Sequence, residues 1–210
     1  MEEWDKESII KFHEGYEGEY AGDTSAPEIV RLSKNFIGTR VLDVGAGSGA
    51  LIDLIPKAIG LDLVSKHPRM IKGDVSIIPF KTESFDTIFA TDILEHLDDE
   101  TLKRAFCEIA RILKTKGSLI LATPYKENLK QNIVLCPKCG TRFHKVGHFQ
   151  TFEEKTMEKL LITNGFKIRK ISALPLSFMA NHKYMKYFKS IFERFGYVEP
   201  SNLFVIAVKE

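Results

Sequence analysis

Glycines at positions 45, 47 and 49 alternate with small residues in VLDVGAGSGAL, residues 41–51. Glycine has no Cβ, so its backbone adopts conformations that other residues avoid and leaves room for a ligand against the main chain. The apolar residues on either side predict a buried parallel strand, a tight turn and the start of a helix. This pattern is typical of a nucleotide pocket. It also fits a dinucleotide fingerprint that includes Ala50, and a turn without any ligand.

Carboxylates follow the predicted strands at the points where such a ligand would lie. Asp43 precedes the glycine turn, Asp62 follows the apolar run of a second strand, and Asp74 stands in GDVSIIPF. A fourth segment, FDTIFATDILEHL (residues 85–97), runs from a strand into polar residues. Open α/β sheets bind ligands at the carboxyl ends of their strands. A carboxylate there is either a solvated acid at the end of a strand or a ligand contact, since it can accept two hydrogen bonds from a pair of hydroxyls.

Together these four motifs resemble those of class I S-adenosylmethionine-dependent methyltransferases, in particular the ubiquinone- and menaquinone-biosynthesis (type 11) group. The resemblance covers roughly residues 27–166. It implies an α/β fold: a doubly wound, Rossmann-like sheet of seven mostly parallel strands with an antiparallel last strand, in a single domain with small inserts. It also implies S-adenosylmethionine as cofactor and a methyl acceptor as substrate. The cofactor-binding residues that it implies are Asp43, Gly45, Ala46, Gly47, Gly49, Asp62, Leu63, Asp74, Val75, Thr91 and Asp92.

Other enzyme classes fit the motifs less well. A dinucleotide enzyme would explain the glycines and Asp62, but neither Asp74 before an IPF turn nor the DILEHL segment. Strand four is followed by ATDIL, not by the N/D-P-P-Y/F segment of enzymes that methylate base amines or glutamine, and no cysteine lies there for cytosine-C5 chemistry. These differences favour a small-molecule acceptor, methylated on oxygen, nitrogen or carbon. The chain departs from the family in its short region between Gly49 and Asp74, which has no room for an ordinary crossover helix and a full strand.

A Cys/His stretch, CPKCGTRFHKVGH, interrupts the alternation of strands and helices. Cys136, Cys139, His144 and His148 have a C-x2-C-x4-H-x3-H spacing that resembles a zinc knuckle, and thiolates and imidazoles are the usual ligands of tetrahedral zinc. Two alternatives remain open: the thiols are free and only the turn matters, or the histidines serve the active site. In the second case His148, which resembles a histidine of ubiquinone-type methyltransferases, is the first candidate for a general base. His96 in LEHL is the second. A nitrogen bound to zinc cannot accept a proton, so the two roles of His148 exclude each other.

Hydrophobic periodicity predicts the elements that position these residues. We expect a first helix over residues 2–20, a second helix that starts at Pro27 and ends at Gly38, and a short helix that ends before Pro56. The later elements are a brief third strand (69–72), a helix over 101–113, and a helix capped by Thr151 with Glu154.

Three segments outside the alternating core are expected to form the substrate face. Residues 1–26 form an N-terminal helix that acts as packing or as a lid, and residues 27–210 form the methyltransferase domain. That domain contains the Cys/His insert (136–148) and an aromatic, basic, helical substrate cap (175–200). The expected lining residues are Tyr16, Tyr20, His148 and Phe178.

Composition limits the class of protein. A chain of 210 residues with 44% hydrophobic content can bury one full core. The polar N-terminus and the lack of an apolar run near twenty residues predict a cytoplasmic protein without a membrane span. Residues 1–99 carry 10 Lys+Arg and 19 Asp+Glu, whereas residues 100–210 carry 20 and 9. This asymmetry indicates either scattered solvated lysines or a basic surface.

The alternative function is therefore a non-catalytic S-adenosylmethionine-binding protein that engages nucleic acid or a protein partner through the knuckle-like insert and the basic helix. The intact cofactor acids favour the enzyme over this alternative. The sequence does not set the oligomeric state.

Overall fold

The computed structural model describes residues 6–16, 18, 20–181 and 199–210. The strands are β1 (Val41–Val44), β2 (Ala58–Asp62), β3 (Met70–Lys72), β4 (Phe85–Thr91), β5 (Leu113–Pro124), β6 (Ile133–Leu135), β7 (Arg142–His144), β8 (Phe166–Leu174) and β9 (Asn202–Lys209). The helices are α1 (Lys6–Gly15), α2 (Ala21–Ser33), α3 (Ala50–Leu54), α4 (Asp99–Ile112), α5 (Glu154–Thr163) and α6 (Leu176–Asn181).

Seven strands form the main sheet, in the order β3-β2-β1-β4-β5-β9-β8. Strands β1 to β5 pair in parallel. Strand β9 lies between β5 and β8 and is antiparallel to both. The prediction of a doubly wound, mostly parallel sheet with an antiparallel last strand is confirmed. Since the chain moves outward from β1 to β3 and then returns to β4 on the other side of β1, the carboxyl ends of β1 and β4 flank a crevice.

Helices cover both faces of the sheet. One apolar cluster packs α4 and α5 against the sheet through residues such as Phe106 and Leu161. The other packs α2, α3 and α6 through residues such as Ile29, Ile52 and Leu176. Within the part of the chain that the structure describes, no helix has the length and apolar character needed to cross a membrane.

The short connections predicted around the glycine turn are confirmed. Helix α3 has five residues and ends before Pro56, and β3 has three residues. Gly49 precedes α3 with a φ of 92°, in the left-handed region that glycine enters without strain. The carboxyl ends of β1, β2 and β3 therefore stay close together.

The predicted start of the second helix at Pro27 is wrong. Helix α2 begins at Ala21, where the Tyr20 N–H donates to Asp23 Oδ2 at 3.0 Å, and Pro27 lies inside it. The helix ends at Ser33, earlier than the predicted Gly38. The boundary that we placed between residues 26 and 27 thus falls within a helix. Helix α1 ends at Gly15, before the predicted residue 20, and residues 2–5 of that prediction lie outside the described residues.

The capping box predicted for Thr151 and Glu154 is also wrong. Phe152 is buried and forms a parallel β-bridge with Tyr125, which keeps this segment extended. Helix α5 begins at Glu154, and Thr156 Oγ1 accepts the Glu153 N–H at 3.1 Å. The helix predicted over residues 101–113 is α4, shifted by two residues at its start and one at its end. Residues 182–198 of the predicted substrate cap lie outside the described residues.

Candidate functional site

The glycine turn is closed by main-chain hydrogen bonds. The Gly45 N–H donates to Leu61 O at 2.8 Å, and the Gly49 N–H donates to Ala46 O at 2.8 Å. Gly45 has a φ of 70°, and a Cβ there would lie 2.5 Å from Ile93 Cδ1, so only glycine fits. At Gly47, with a φ of 53°, the nearest atom to a Cβ would be 3.7 Å away in the Tyr20 ring. The Tyr20 ring therefore lies at van der Waals distance over the main chain at Gly47, which lines both cavities.

Asp62 joins the glycine turn to the end of β2. Its Oδ2 accepts the Gly47 N–H at 2.9 Å and its Oδ1 accepts the Val64 N–H at 3.1 Å. Asp74 Oδ1 accepts both the N–H and the hydroxyl of Ser76, at 2.8 and 2.7 Å. A carboxylate has about four lone-pair sites, so Asp62 can accept from a ligand in addition to these two N–H groups.

Two cavities that share part of their lining lie at the carboxyl edge of the sheet, with volumes of about 220 and 440 Å³. Of the predicted cofactor residues, Asp62, Leu63, Asp74 and Val75 line the first cavity, Asp43, Ala46 and Thr91 line the second, and Gly45, Gly47 and Asp92 line both. Gly49 lines neither of them and instead caps α3. The structure thus brings together ten of the eleven predicted residues.

Most of the predicted catalytic and substrate residues also line these cavities. His96 lines both cavities and His148 lines the second. Tyr16 and Tyr20 also line the second cavity. Phe178 lies on α6, which packs on α2, and is not part of either lining.

Buried carboxyl groups face the second cavity. Asp43 Oδ1 and Asp92 Oδ2 are buried and have no hydrogen-bond partner among the described residues. Burial raises the pKa of Asp43 well above its ordinary value, and the charge of Asp62 adds to this effect. Burial also raises the pKa of Asp92 to about 7 and that of Glu95 well above its usual range. A buried carboxylate without a partner is costly, and a cationic ligand would offset that cost.

A row of imidazoles leads from the N-terminal helix to the insert. The ring centroids of His13 and His96 lie 6.3 Å apart, those of His96 and His148 4.6 Å apart, and those of His148 and His144 4.9 Å apart. Burial lowers the pKa of His96 to about 3 and also lowers those of His13 and His144. The His96 ring is therefore neutral at physiological pH and is a weak base.

Glu127, which sequence analysis missed, lies between the two histidines of the insert. Its Oε2 is 2.5 Å from His148 Nδ1, and its Oε1 is 3.4 Å from His144 Nε2. Asn132 Nδ2 donates to Oε1 at 2.7 Å. Glu127 follows β5 by three residues, so the same rule that selected Asp62 and Asp92, a polar residue just beyond the carboxyl end of a strand, would have indicated it.

The four predicted zinc ligands do not converge. In the β6–β7 hairpin, Ile133 pairs with His144, whereas the Cys136 N–H bonds to Thr141 O next to the turn. The cysteines thus lie about 10 Å along the hairpin from His144, at the rise of an extended strand. Within the described ranges, two groups place candidate ligand atoms within 4.8 Å of one another, Glu95-His96-His148 and Glu127-His144-His148, and neither contains a cysteine.

The hydrogen bonds of His144 limit what the second of these groups can bind. The His148 backbone N–H donates to His144 Nδ1 at 3.0 Å, so in the neutral ring Nδ1 is the nitrogen without a hydrogen. Nε2 therefore carries the hydrogen, and a protonated nitrogen cannot bind a cation. The geometry fits a hydrogen-bonded cluster better than a metal centre.

Comparison with known proteins agrees with the fold and the motifs. A family model described as a methyltransferase domain matches residues 17–171. An uncharacterized protein of Methanocaldococcus jannaschii is 33% identical over 162 residues, which are 71% of this chain and 65% of that protein. The mitochondrial ubiquinone biosynthesis O-methyltransferase of Homo sapiens is 26% identical over 66% of this chain and 44% of its own length. The chain thus spans about half to two thirds of the length of these curated relatives.

Among solved structures, the fold is similar to that of the 1,6-didemethyltoxoflavin-N1-methyltransferase of Burkholderia thailandensis, which was crystallised with 1,6-didemethyltoxoflavin and S-adenosylhomocysteine. The TM-score is 0.67 at 16% identity, over 97% of this chain and 85% of that one. Because the family model covers most of the sequence and the sheet has the seven mostly parallel strands and the antiparallel last strand that the resemblance implies, the chain belongs to the methyltransferase domain family, with the class I, Rossmann-like fold.

Proposed function

We propose that this protein transfers a methyl group from S-adenosylmethionine to a small-molecule acceptor held in the second cavity. The observation that carries the proposal is the pair of buried acids, Asp43 and Asp92, whose unpartnered oxygens lie in residues that line the same cavity as the glycine turn. When bound, S-adenosylmethionine supplies a methyl group on a positively charged sulfur. It also carries an ammonium group, and either cation suits these acids. The name of the human relative, an O-methyltransferase, agrees with a small-molecule acceptor.

Each part of the cofactor has residues of this chain that would hold it. Asp62 would accept the two ribose hydroxyls, because its carboxylate already faces the first cavity from the end of β2. Asp74 and Val75 would hold the adenine. The main chain at Gly45 and Gly47, with Asp43 and Asp92, would hold the charged methionyl end.

The N-terminal segment is proposed to act as a lid over this pocket. Lys66, in the loop after β2, donates from Nζ to Tyr16 O at 2.9 Å and to the Tyr20 hydroxyl at 3.2 Å. Tyr20 in turn lies over Gly47. These contacts hold Tyr16 and Tyr20 beside the cavities that they line, where they would exclude water from the transfer step.

Of the two predicted bases, we propose His148. Burial keeps the pKa of His96 at about 3, so that ring is a weak proton acceptor near neutral pH. His148 lines the larger of the two cavities. Its ring Nδ1 contacts Glu127, and its backbone N–H donates to His144 Nδ1.

The cofactor proposal is tested by replacing Asp62 with alanine. This change removes the charged acceptor of the ribose diol, and hydrogen bonds to charged groups contribute on the order of 1.5–3 kcal/mol. We expect the affinity for S-adenosylmethionine, measured by calorimetry, to fall roughly ten- to a hundredfold. Asp53→Ala is the matched control, because Asp53 is exposed and pairs with His67 and Arg69 outside the two cavities.

Equal affinity in Asp62→Ala and wild type would contradict this assignment of the ribose site. Release of S-adenosylhomocysteine on incubation with candidate acceptors then separates an enzyme from a protein that only binds the cofactor. A protein that retains S-adenosylmethionine without ever converting it would be a binding module.

A further inference from the structure

Glu127 receives hydrogen-bond donors on both of its oxygens. Oε1 accepts from Asn132 Nδ2 and faces His144 Nε2, and Oε2 faces His148 Nδ1 at 2.5 Å. The Glu127 side chain is only 14% exposed. A carboxylate at Glu127 can accept from Asn132 and from His148 Nδ1–H together, whereas a protonated acid would have to donate to one of its neighbours.

With Glu127 as a carboxylate, these contacts imply where each imidazole carries its hydrogen. His144 Nδ1 accepts the His148 N–H, so the hydrogen of His144 is on Nε2, which lies 3.4 Å from Glu127 Oε1 without forming a hydrogen bond. His148 offers a donor to Glu127 from Nδ1, so its free lone pair is on Nε2. A neutral imidazole by itself can carry its hydrogen on either nitrogen. A carboxylate that is hydrogen-bonded to one nitrogen keeps the hydrogen there. His148 lines the second cavity, and its ring packs edge-on against His96, which limits its rotation.

We propose that Glu127 is a positioning residue that holds His148 as the Nδ1–H tautomer with Nε2 available to the second cavity, and that the methyl acceptor bears an ionisable hydroxyl group. This inference rests on the proposed methyltransferase function. The nucleophilic form of a hydroxyl is its conjugate base, so an oriented proton acceptor is of most use to that class of acceptor.

In the transfer step the acceptor O–H bond breaks and its proton passes to His148 Nε2. The oxygen forms a bond to the methyl carbon while the carbon–sulfur bond breaks, and that electron pair stays on sulfur. The proton on Nε2 then leaves to water. Glu127 stabilises the imidazolium through the bond to Nδ1 and takes up no proton itself.

The tautomer is tested in the full chain labelled with ¹⁵N-histidine, by long-range ¹H–¹⁵N NMR correlations. We expect His148 to carry its hydrogen on Nδ1 in the wild type. In Glu127→Gln the side chain keeps only one acceptor oxygen for three donors, and we expect loss of the protected Nδ1–H signal and a gain of the Nε2–H tautomer. Glu108→Gln is the matched control, because Glu108 is a similarly buried carboxylate that accepts from Ile78 N and Arg111, away from the cavities.

Three results would overturn the positioning role. They are an Nε2–H tautomer in the wild type, the same tautomer in Glu127→Gln as in the wild type, and a shift of the Nε2 resonance on adding EDTA, which would mean that a metal ion holds this nitrogen. If Glu108→Gln changes the His148 signals as much as Glu127→Gln does, the effect is one of general stability, and the proposal also fails.

The acceptor class is tested with 4-nitrocatechol, whose visible absorption distinguishes the phenol from the phenolate. At a pH where the free probe is protonated, we expect the wild-type protein to bind it as the phenolate and Glu127→Gln and His148→Gln to lose that absorption. Absence of binding, or binding as the neutral phenol, would overturn the hydroxyl assignment. Calorimetry with S-adenosylmethionine on the same samples separates this failure from failure of the proposed function, because Glu127→Gln should keep the wild-type cofactor affinity.

Discussion

At the scale of single residues, Asp92 is the group whose charge is most open to control by a ligand. Its Oδ2 is buried and unpartnered among the described residues, it lines both cavities, and burial raises its pKa to about 7. Near neutral pH the folded protein therefore contains Asp92 in both protonation states. A cation bound beside it would favour the carboxylate.

We expect binding of S-adenosylmethionine to release a proton and to become tighter as the pH rises from about 5.5 to 8. Below the pKa of about 7, Asp92 is protonated, and binding must first remove that proton. Calorimetry in buffers of different ionisation enthalpy measures the proton directly. Asp92→Asn should abolish the pH dependence in this window. Dependence that persists in this variant would be due to Asp43 or Glu95, whose pKa values burial also raises.

At the scale of elements, the β6–β7 hairpin separates the cysteines from the histidines, although both lie in one short stretch of the sequence. Its tip carries the CPKCG turn, in which Gly140 has a φ of 75° and donates its N–H to Cys136 O at 2.9 Å. Its base carries His144 next to Glu127. The thiols and the imidazoles therefore lie at opposite ends of the hairpin.

If the chain binds zinc, we propose that the thiols at the tip hold it. Metal analysis of protein purified without chelator should show that Cys136→Ser loses the ion while His148→Gln keeps it. Loss of the ion in both variants would restore the four-ligand site predicted from the spacing. A wild type without metal would exclude zinc from this hairpin.

At the scale of the whole molecule, the candidate site lies at the carboxyl edge of the sheet, and an acid-sensitive ionic contact lies at the opposite edge. Asp86 lies near the amino end of β4. It accepts from Lys114 Nζ at 2.6 Å, from the Arg40 N–H at 2.8 Å and from the Thr39 hydroxyl at 3.1 Å. The bond from Lys114, followed by that from Arg40, lowers the pKa of Asp86 to about 2.

Asp86→Asn should lower the free energy of unfolding at pH 7 by on the order of 1–2 kcal/mol, after allowance for solvent screening. Because the folded-state pKa is depressed, this contribution is present above the unfolded value of about 3.8 and is lost as the pH falls toward 2. Urea denaturation of the variant and the wild type at several pH values measures it. A difference in stability that stays constant from pH 7 to pH 2 would show that the charge of Asp86 is not its source.

The fold could be predicted from the sequence because each of its determinants is local. Apolar runs alternate with helical periodicity, and an acid or a glycine follows each of the first strands. Pro56 limits α3, and the short spacing to Asp74 limits β3. The start of α2 was missed because a proline is a stronger sequence signal than the bond between Tyr20 N and Asp23 that sets the actual start.

The placement of most predicted residues at the two cavities, His148 included, was predictable for the same reason, whereas the contacts of Glu127 were not. Glu127 meets His144 and His148 only because the hairpin folds back on the end of β5, and no spacing in the sequence encodes that meeting. The arrangement of the Cys/His stretch could not be predicted from its spacing either. It suits four ligands of one ion, but the pairing of Ile133 with His144 keeps the cysteines apart from the histidines.

The separation of tip and base makes the hairpin a natural place for an optical reporter. Cys139 is exposed at the tip, and the other end of the same hairpin carries His144 beside the cavity-lining His148. With Cys107 and Cys136 replaced by serine, a single dye on Cys139 would sense any movement of the hairpin that accompanies filling of the second cavity. Candidate acceptors could then be screened by fluorescence, without labelled cofactor and before any product is known.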